Sequence, residues 1–216
     1  MDVKKHVVLI CLSFAALTYG QKEEPRWTFN AELGLPVELA NPAFKEIMQG
    51  LVGASAYMQR KLPLDLNVGL GVKYSYFKIN EFSIPEPVFG GMHTGAAYGK
   101  IGWGKFHNDR FATDFGLKIG YAQNYYDTDV NKLLSVNPVV QAAFYTEFVT
   151  SLILTADEKN SYRWIIGYGS FGRGFNPADI GIQSNEGYDP ETFARRTQYL
   201  IVGFGYTYYL GVKGGD

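Results

Sequence analysis

Leu66-Asn67-Val68-Gly69-Leu70-Gly71-Val72-Lys73-Tyr74-Ser75-Tyr76 decides the fold class. Its odd and even positions divide cleanly. Leu66, Val68, Leu70, Val72, Tyr74 and Tyr76 are apolar or aromatic, and Asn67, Gly69, Gly71, Lys73 and Ser75 are small or polar. A repeat of two puts the sets on opposite faces of a β-strand, whereas a helix would scatter both around its axis. The pattern recurs. Trp27, Phe29, Ala31, Leu33 and Leu35 alternate with Thr28, Asn30, Glu32 and Gly34; Phe115, Leu117, Ile119 and Tyr121 alternate with Asp114, Gly116, Lys118 and Gly120. Near the end, Leu200, Val202, Phe204, Tyr206, Tyr208 and Leu210 alternate with Gly203, Gly205 and Thr207. Weaker alternation over 51–60, 93–104, 138–155 and 161–169 brings the expected strands to eight.

The connections alternate in length. Those at 61–65, 106–110 and 157–161 are short and turn-like, while 38–50, 78–92, 127–137 and 170–195 are long. Short turns at one end and long loops at the other describe an eight-stranded antiparallel up-and-down transmembrane β-barrel. Both termini then fall at the short-turn end, expected to face the periplasm, with the long loops extracellular.

Alternation alone does not say which face is outside. A soluble barrel needs a charged exterior, but here the non-apolar face is mostly glycine with isolated charges: Glu32, Lys73, Lys100, Asp114, Lys118 and Glu147. A few opposite charges among small residues suit a crowded lumen in which they pair. Trp27, Trp103, Trp164 and Tyr208, with Tyr74, Tyr76 and Tyr121, are expected at the two edges of the apolar face, since Trp and Tyr favour the membrane interface. The 16 Tyr, 15 Phe and 25 Gly fit twisted strands and aromatic girdles.

Residues 1–20 are set apart. A basic start at Lys4, Lys5 and His6, an apolar run from Val7 to Leu17 and the small pattern ending at Gly20 read as a signal peptide cut before Gln21. Residues 21–216 are then one barrel domain. The single cysteine, Cys11, lies within the leader after bulky Leu9 and Ile10, which does not suit a lipidation site. The mature chain therefore carries no thiol or disulfide chemistry. Only 19% of residues are charged and the basic ones are scattered, so a nucleic-acid partner is not expected.

The final strand, Gly203-Phe204-Gly205-Tyr206-Thr207-Tyr208-Tyr209-Leu210, resembles the signal read by the barrel-assembly machinery. With the eight strands, it makes the chain similar to the small outer-membrane barrels related to the OmpA transmembrane domain, OmpX and Ail. Those end in Phe; this sequence continues through Gly211 to Asp216. The resemblance implies a non-enzymatic envelope protein. Its partners would be outer-membrane lipid and lipopolysaccharide, the assembly machinery during biogenesis, and an extracellular ligand of the loops. A small pore and a lipid A-modifying enzyme at the rim are the alternatives.

Candidate chemistry is sparse. Gly167-Tyr168-Gly169-Ser170-Phe171-Gly172 has a dinucleotide-binding spacing, but the helix it requires is not signalled by Arg173-Gly174-Phe175-Asn176-Pro177. Rim enzymes of this architecture use His with Ser and an acid. Here His93 lies at the outer start of a strand, His107 in a short turn, and Ser170 and Ser184 in the last loop, while Gln183-Ser184-Asn185 lacks a base. Asp127, Asp129 and Asn131 lack the rest of a calcium loop. No cofactor, metal ligand or catalytic residue is expected. Arg195-Arg196 is placed to meet lipopolysaccharide phosphate or to serve as ordinary rim charge. Loop aromatics Phe171, Phe175, Tyr188 and Phe193 are expected to face a ligand, the alternative being that they pack the loops together.

Overall fold

A computed structural model describes residues 26–84, 88–134, 139–182 and 187–211. The expected leader, residues 1–20, lies outside them. Eight strands run β1 (Trp27–Ala40), β2 (Met48–Lys61), β3 (Leu66–Ile79), β4 (Gly90–Phe106), β5 (Phe111–Thr128), β6 (Val139–Thr155), β7 (Asn160–Gly174) and β8 (Arg196–Leu210). Each pairs antiparallel with its sequence neighbours, and β8 pairs with β1 to close the barrel. The closing register runs from Trp27 opposite Leu210 to Ala40 opposite Gln198, so closure holds over the whole of β1. No helix among the described residues is long and apolar enough to cross a membrane; the crossing elements are strands.

The faces sort as the period-two pattern requires. Leu33, Leu70, Val72, Phe144, Phe148 and Phe204 are exposed on the outer wall, and Glu32, Lys73, Lys100, Asp114, Lys118 and Glu147 are buried inside. Large apolar groups outside and charges inside invert a soluble barrel, and this inversion makes the fold transmembrane.

Trp27, Trp103, Trp164 and Tyr208 all lie toward the short-turn end, near the start of β1 or β7 or the end of β4 or β8. The opposite rim carries Tyr74, Tyr76, His93 and Tyr125, with Tyr76 and His93 rings 4.7 Å apart. Ten residues separate Trp103 from His93 on β4. At about 3.3 Å per residue and a tilt near 40°, the rims are ~25 Å apart, the height of an apolar membrane band.

The strands also reach further toward the loop end than expected. The long connections shrink to 41–47, 80–89, 129–138 and 175–195. Ladder pairing continues above the apolar band because each additional backbone pair satisfies an N–H and a C=O that the loop would otherwise have to satisfy. The glycine-rich 167–172 segment is part of β7, not a strand end entering a loop, and no phosphate-binding helix follows it.

A closed ladder with no free edge resists detergent until heated. Unheated protein is therefore expected to migrate differently from boiled protein on a denaturing gel, with a β-rich circular dichroism spectrum. Identical migration of both forms would contradict closure.

Candidate functional site

Two charged groups, joined through Tyr57, fill the turn-side and middle lumen. Nearer the turns, Asp114 accepts from Lys100 Nζ at 2.6 Å, Arg163 Nη2 at 2.5 Å and Asn67 Nδ2 at 3.2 Å. Lys100 also donates to Gln59 Oε1 at 2.7 Å, and Arg163 Nη1 donates to Asn30 Oδ1 at 2.6 Å. In the middle, Lys118 bridges Glu32 Oε2 at 2.7 Å and Glu147 Oε1 at 2.9 Å, while Lys73 pairs with Glu147. The Tyr57 hydroxyl donates to Glu32 at 2.9 Å and accepts from Lys100 at 3.4 Å, linking the two groups. The six predicted lumen residues thus converge on one network.

Sequence reasoning missed Arg163 and four tyrosines. Arg163 lies on the inner face of β7, two residues from Ser161 and Ile165, with Tyr162 and Trp164 outside. Extending the alternation of β8 to its neighbour would have found it. Among the described residues the buried lumen charges are four cations, Lys73, Lys100, Lys118 and Arg163, and three anions, Glu32, Asp114 and Glu147. Tyrosine faces soften the excess: Lys100 Nζ lies 4.8 Å from the Tyr57 ring centroid and Lys73 Nζ 4.9 Å from that of Tyr199.

The inner glycines do not leave the lumen empty. A Cβ at Gly169 would fall on the Tyr199 ring, and one at Gly71 would overlap Tyr57 and Tyr98. Glycine on one strand makes room for tyrosine from another. Above the charges, Tyr98, Tyr145 and Tyr199 lead into an apolar plug of Phe44, Ile47, Phe77, Met92, Phe171 and Phe175. Ring centroids of Phe44 and Phe77 are 5.1 Å apart, and those of Phe171 and Tyr199 are 5.2 Å apart.

The loops supply the top of this plug. Helix α1 (Pro42–Ile47) drops Phe44 and Ile47 into the barrel mouth. Its start is fixed by Asn41, whose Oδ1 accepts from Phe44 N at 3.1 Å. The Asn41 amide also donates to the carbonyls of Phe175 (3.3 Å), Phe193 (3.4 Å) and Arg195 (3.0 Å), tying the last loop to the first. Asn41 does this at a φ of 69°, which Asn tolerates better than most residues.

This packing corrects the expectation for the loop aromatics. Phe171 and Phe175 are buried, and Tyr188 and Phe193 pack against the core, so these rings hold the loops together. The exposed apolar side chains are in other loops. Phe82 is 100% exposed at the tip of an Asx turn held by Asn80, and Leu133 is 82% exposed at the end of α2 (Asp129–Leu133). Leu134 and Phe89 are exposed beside them.

Among the described residues no catalytic set assembles around His93 or His107. His93 Nδ1 meets the Tyr74 hydroxyl at 2.7 Å, and its ring neighbours are Tyr74, Tyr76 and Tyr125. Ser170 Oγ turns to the Phe171 carbonyl, and Ser184 lies outside the described residues. His107 meets Thr113 in a short turn. Among the described residues no three His, Cys, Asp or Glu side chains group to hold a metal; Asp127 pairs with Lys132, and Asp129 accepts from Phe89 N and Val130 N. Arg195 and Arg196 are exposed at the loop end of β8. The expected assembly segment forms the second half of β8, where Phe204, Tyr206 and Tyr208 face out and Gly203 is buried.

Removing one member of a buried ion network strands the others. Asp114→Ala leaves Lys100 and Arg163 without a carboxylate and is expected to destabilise the barrel by about 3–5 kcal/mol, read as a lower temperature for loss of the compact gel form. The combination Lys100→Met, Asp114→Leu, Arg163→Met is expected to cost less than Asp114→Ala alone. In planar bilayers the filled lumen should give no large, stable single-channel currents.

No known protein family matches the sequence, and no curated protein matches it. Solved structures do match in shape. Neisserial surface protein A superposes with a TM-score of 0.55 at 8% identity, covering 85% of this chain and 97% of that one. OprG from Pseudomonas aeruginosa gives 0.48 at 10% identity, covering 86% and 98%. Ail, the attachment invasion locus protein of Yersinia pestis, gives 0.47 at 9% identity, covering 85% and 99%. Closed eight-strand topology, an inverted face pattern and the superposition on Neisserial surface protein A together establish that the chain has the fold of the small eight-stranded outer-membrane β-barrels.

Proposed function

We propose that this protein is a non-enzymatic outer-membrane barrel that acts through its loop end, as a surface-contact and envelope-structural element. The observation that carries this reading is the pairing of a filled lumen with exposed apolar side chains at the loop end. Charges, tyrosines and the apolar plug occupy the space a pore would need, consistent with the narrow interior of eight strands. Among the described residues His93 is partnered by the Tyr74 hydroxyl and tyrosine rings, which favours a contact role over acyl chemistry.

The contact surface is the rim formed by Phe82, Phe89, Leu133 and Leu134 on the connections after β3 and β5. These connections are joined: Asp129 N donates to the Phe89 carbonyl at 3.0 Å, and Phe89 N donates to Asp129 Oδ1 at 2.9 Å. Clustered exposed apolar groups on a rigid scaffold mark a recognition surface. Both chain ends and the short turns belong to the periplasm in this reading, the loops to the cell exterior. Strand β8 is what the barrel-assembly machinery reads, and outer-membrane lipid and lipopolysaccharide surround the wall, with Arg195 and Arg196 at phosphate level.

The mature sequence has no cysteine, so orientation is directly measurable. In intact cells, Ser83→Cys at the loop end should react with a membrane-impermeant maleimide, and Asp109→Cys in a short turn should react only after the outer membrane is permeabilised. Labelling in the reverse order would refute the orientation. Phe82→Ser with Leu133→Ser is expected to leave the heat-resistant barrel intact while reducing adhesion of displaying cells to protein- or glycan-coated surfaces at least about fivefold. His93→Ala should leave adhesion and the lipid A profile unchanged; a lipid A modification lost in His93→Ala would favour the enzyme instead.

A further inference from the structure

The strands pair at every interface around the barrel, but the ladder is not equally tall at each. β1 and β2 share eight paired positions, from Trp27–Arg60 up to Gly34–Gly53, against eleven or more at every other interface. Both strands continue past that point. β1 runs on to Ala40 along β8, and β2 starts at Met48 along β3. Residues 35–40 and 48–52 therefore face each other across a seam without rungs. The sequence explains where it starts. Lys61 N donates to Arg26 O at 2.8 Å, so the even-numbered residues of β1 turn their backbone toward β2. The next even residue above Gly34 is Pro36, which has no N–H to give. Bulges between Gly50 and Val52 and between Glu38 and Ala40 then carry both edges out of register.

The seam is shut by contact. A Cβ at Gly50 would lie 2.1 Å from the Pro36 carbonyl oxygen, so the two backbones touch there only because position 50 is glycine. Met48 N turns away to Phe44 O of α1. The Glu38 carboxylate lies against the backbone amides of Glu38 and Gly50, and its Oε1 is buried with no hydrogen-bond partner. Each lumen carboxylate, Glu32, Asp114 and Glu147, holds a cation; among the described residues Glu38 holds none. Tyr199, opposite Glu38 on β8, gives its hydroxyl to Glu147 instead. On the same strand Leu35, Val37 and Leu39 are exposed on the apolar outer face, so the seam borders hydrocarbon. A carboxylate oxygen without a donor is costly there, and an ionisable group at such a depth marks a site whose partner has to be named.

We propose that the seam between β1 and β2 is a binding site for an amphiphilic amine, its ammonium on Glu38 Oε1 and its alkyl chain leaving between Val37 and Leu51 to the outer wall. An ammonium supplies both the charge and the donor that Glu38 lacks, whereas a hydroxyl supplies a donor alone. Admitting the amine parts β1 from β2 only where no rung has to break, and the ladders to β8 and β3 hold the two strands in the wall. The site is separate from the loop-tip surface and does not depend on which way the barrel faces.

The test is photo-crosslinking of the full mature barrel, in non-ionic detergent micelles, with a dodecylamine that carries a diazirine on its chain. Cross-linked peptides should map to residues 35–40 and 48–52. Unlabelled dodecylamine should compete at least about tenfold better than dodecanol, since only the ammonium forms a charge-assisted bond to the carboxylate. Glu38→Gln should lower labelling of the seam by a similar factor, while Glu191→Gln, at an exposed loop carboxylate, should not. The comparison of amine with alcohol uses wild type alone, so it decides if Glu38→Gln loses the heat-shifted gel form. Equal competition by the two overturns the proposal. So does labelling spread evenly over the outer wall, or seam labelling unchanged in a folded Glu38→Gln barrel.

Discussion

Pairing of β1 with β8 is the constraint on which the other features rest. A strand edge in hydrocarbon leaves a row of N–H and C=O groups with no partner, at several kcal/mol each, so the sheet closes completely or does not cross. Closure over the whole of β1 fixes strand number, and strand number fixes the width of the lumen. Once the wall is closed, every side chain is committed to lipid or to a narrow interior. Leu70 and Lys73 are three positions apart on one strand and face wholly different solvents.

The interior is then an electrostatic problem. Among the described residues, four buried cations and three buried anions share a space too narrow for bulk water, and each would be costly alone. Asp114 is the junction because it serves two cations and an amide at once. Tyr57 performs the corresponding role between groups, accepting from Lys100 while donating to Glu32. Such a network adds little to stability over a well-packed apolar filling, but it is intolerant of losing a member, which makes it a specific closure of the barrel. The apolar plug above it closes the mouth by a different means, with loop residues Phe44 and Phe175 inserted from the side that Asn41 holds together.

Because lumen and mouth are both occupied, the surfaces left for interaction are the outer wall and the loop tips. They meet on the same side of the molecule. Phe82, Phe89, Leu133 and Leu134 project from the connections flanking β4, whose outward residues Gly95, Ala97 and Gly99 are small. The opposite wall, with Trp164, Tyr168, Val202 and Phe204, is continuous and bulky. The barrel is therefore two-sided in the plane of the membrane, a property that follows from small outward residues on β4 and β2.

What the sequence determined by itself is the part governed by local periodicity. Leu66 to Tyr76 and Leu200 to Leu210 declared strands, the glycine-and-charge face declared an interior, and turn lengths declared which ends lie together. Glu32, Lys73, Lys100, Asp114, Lys118 and Glu147 were legible as inward residues because direction within a strand depends only on parity. Tertiary structure alone decided who meets whom. Lys118 reaches Glu32 across 86 residues of chain, Arg163 reaches Asn30 across 133, and Asn41 reaches Arg195 across 154. Those contacts depend on shear and closure, which no single strand encodes. The same reason separates the loop rings: Phe175 and Phe82 look alike as aromatics on polar loops, yet one fills the barrel mouth and the other is fully exposed. Where a loop folds relative to the mouth is set by packing against distant strands, and sequence periodicity carries no information about it.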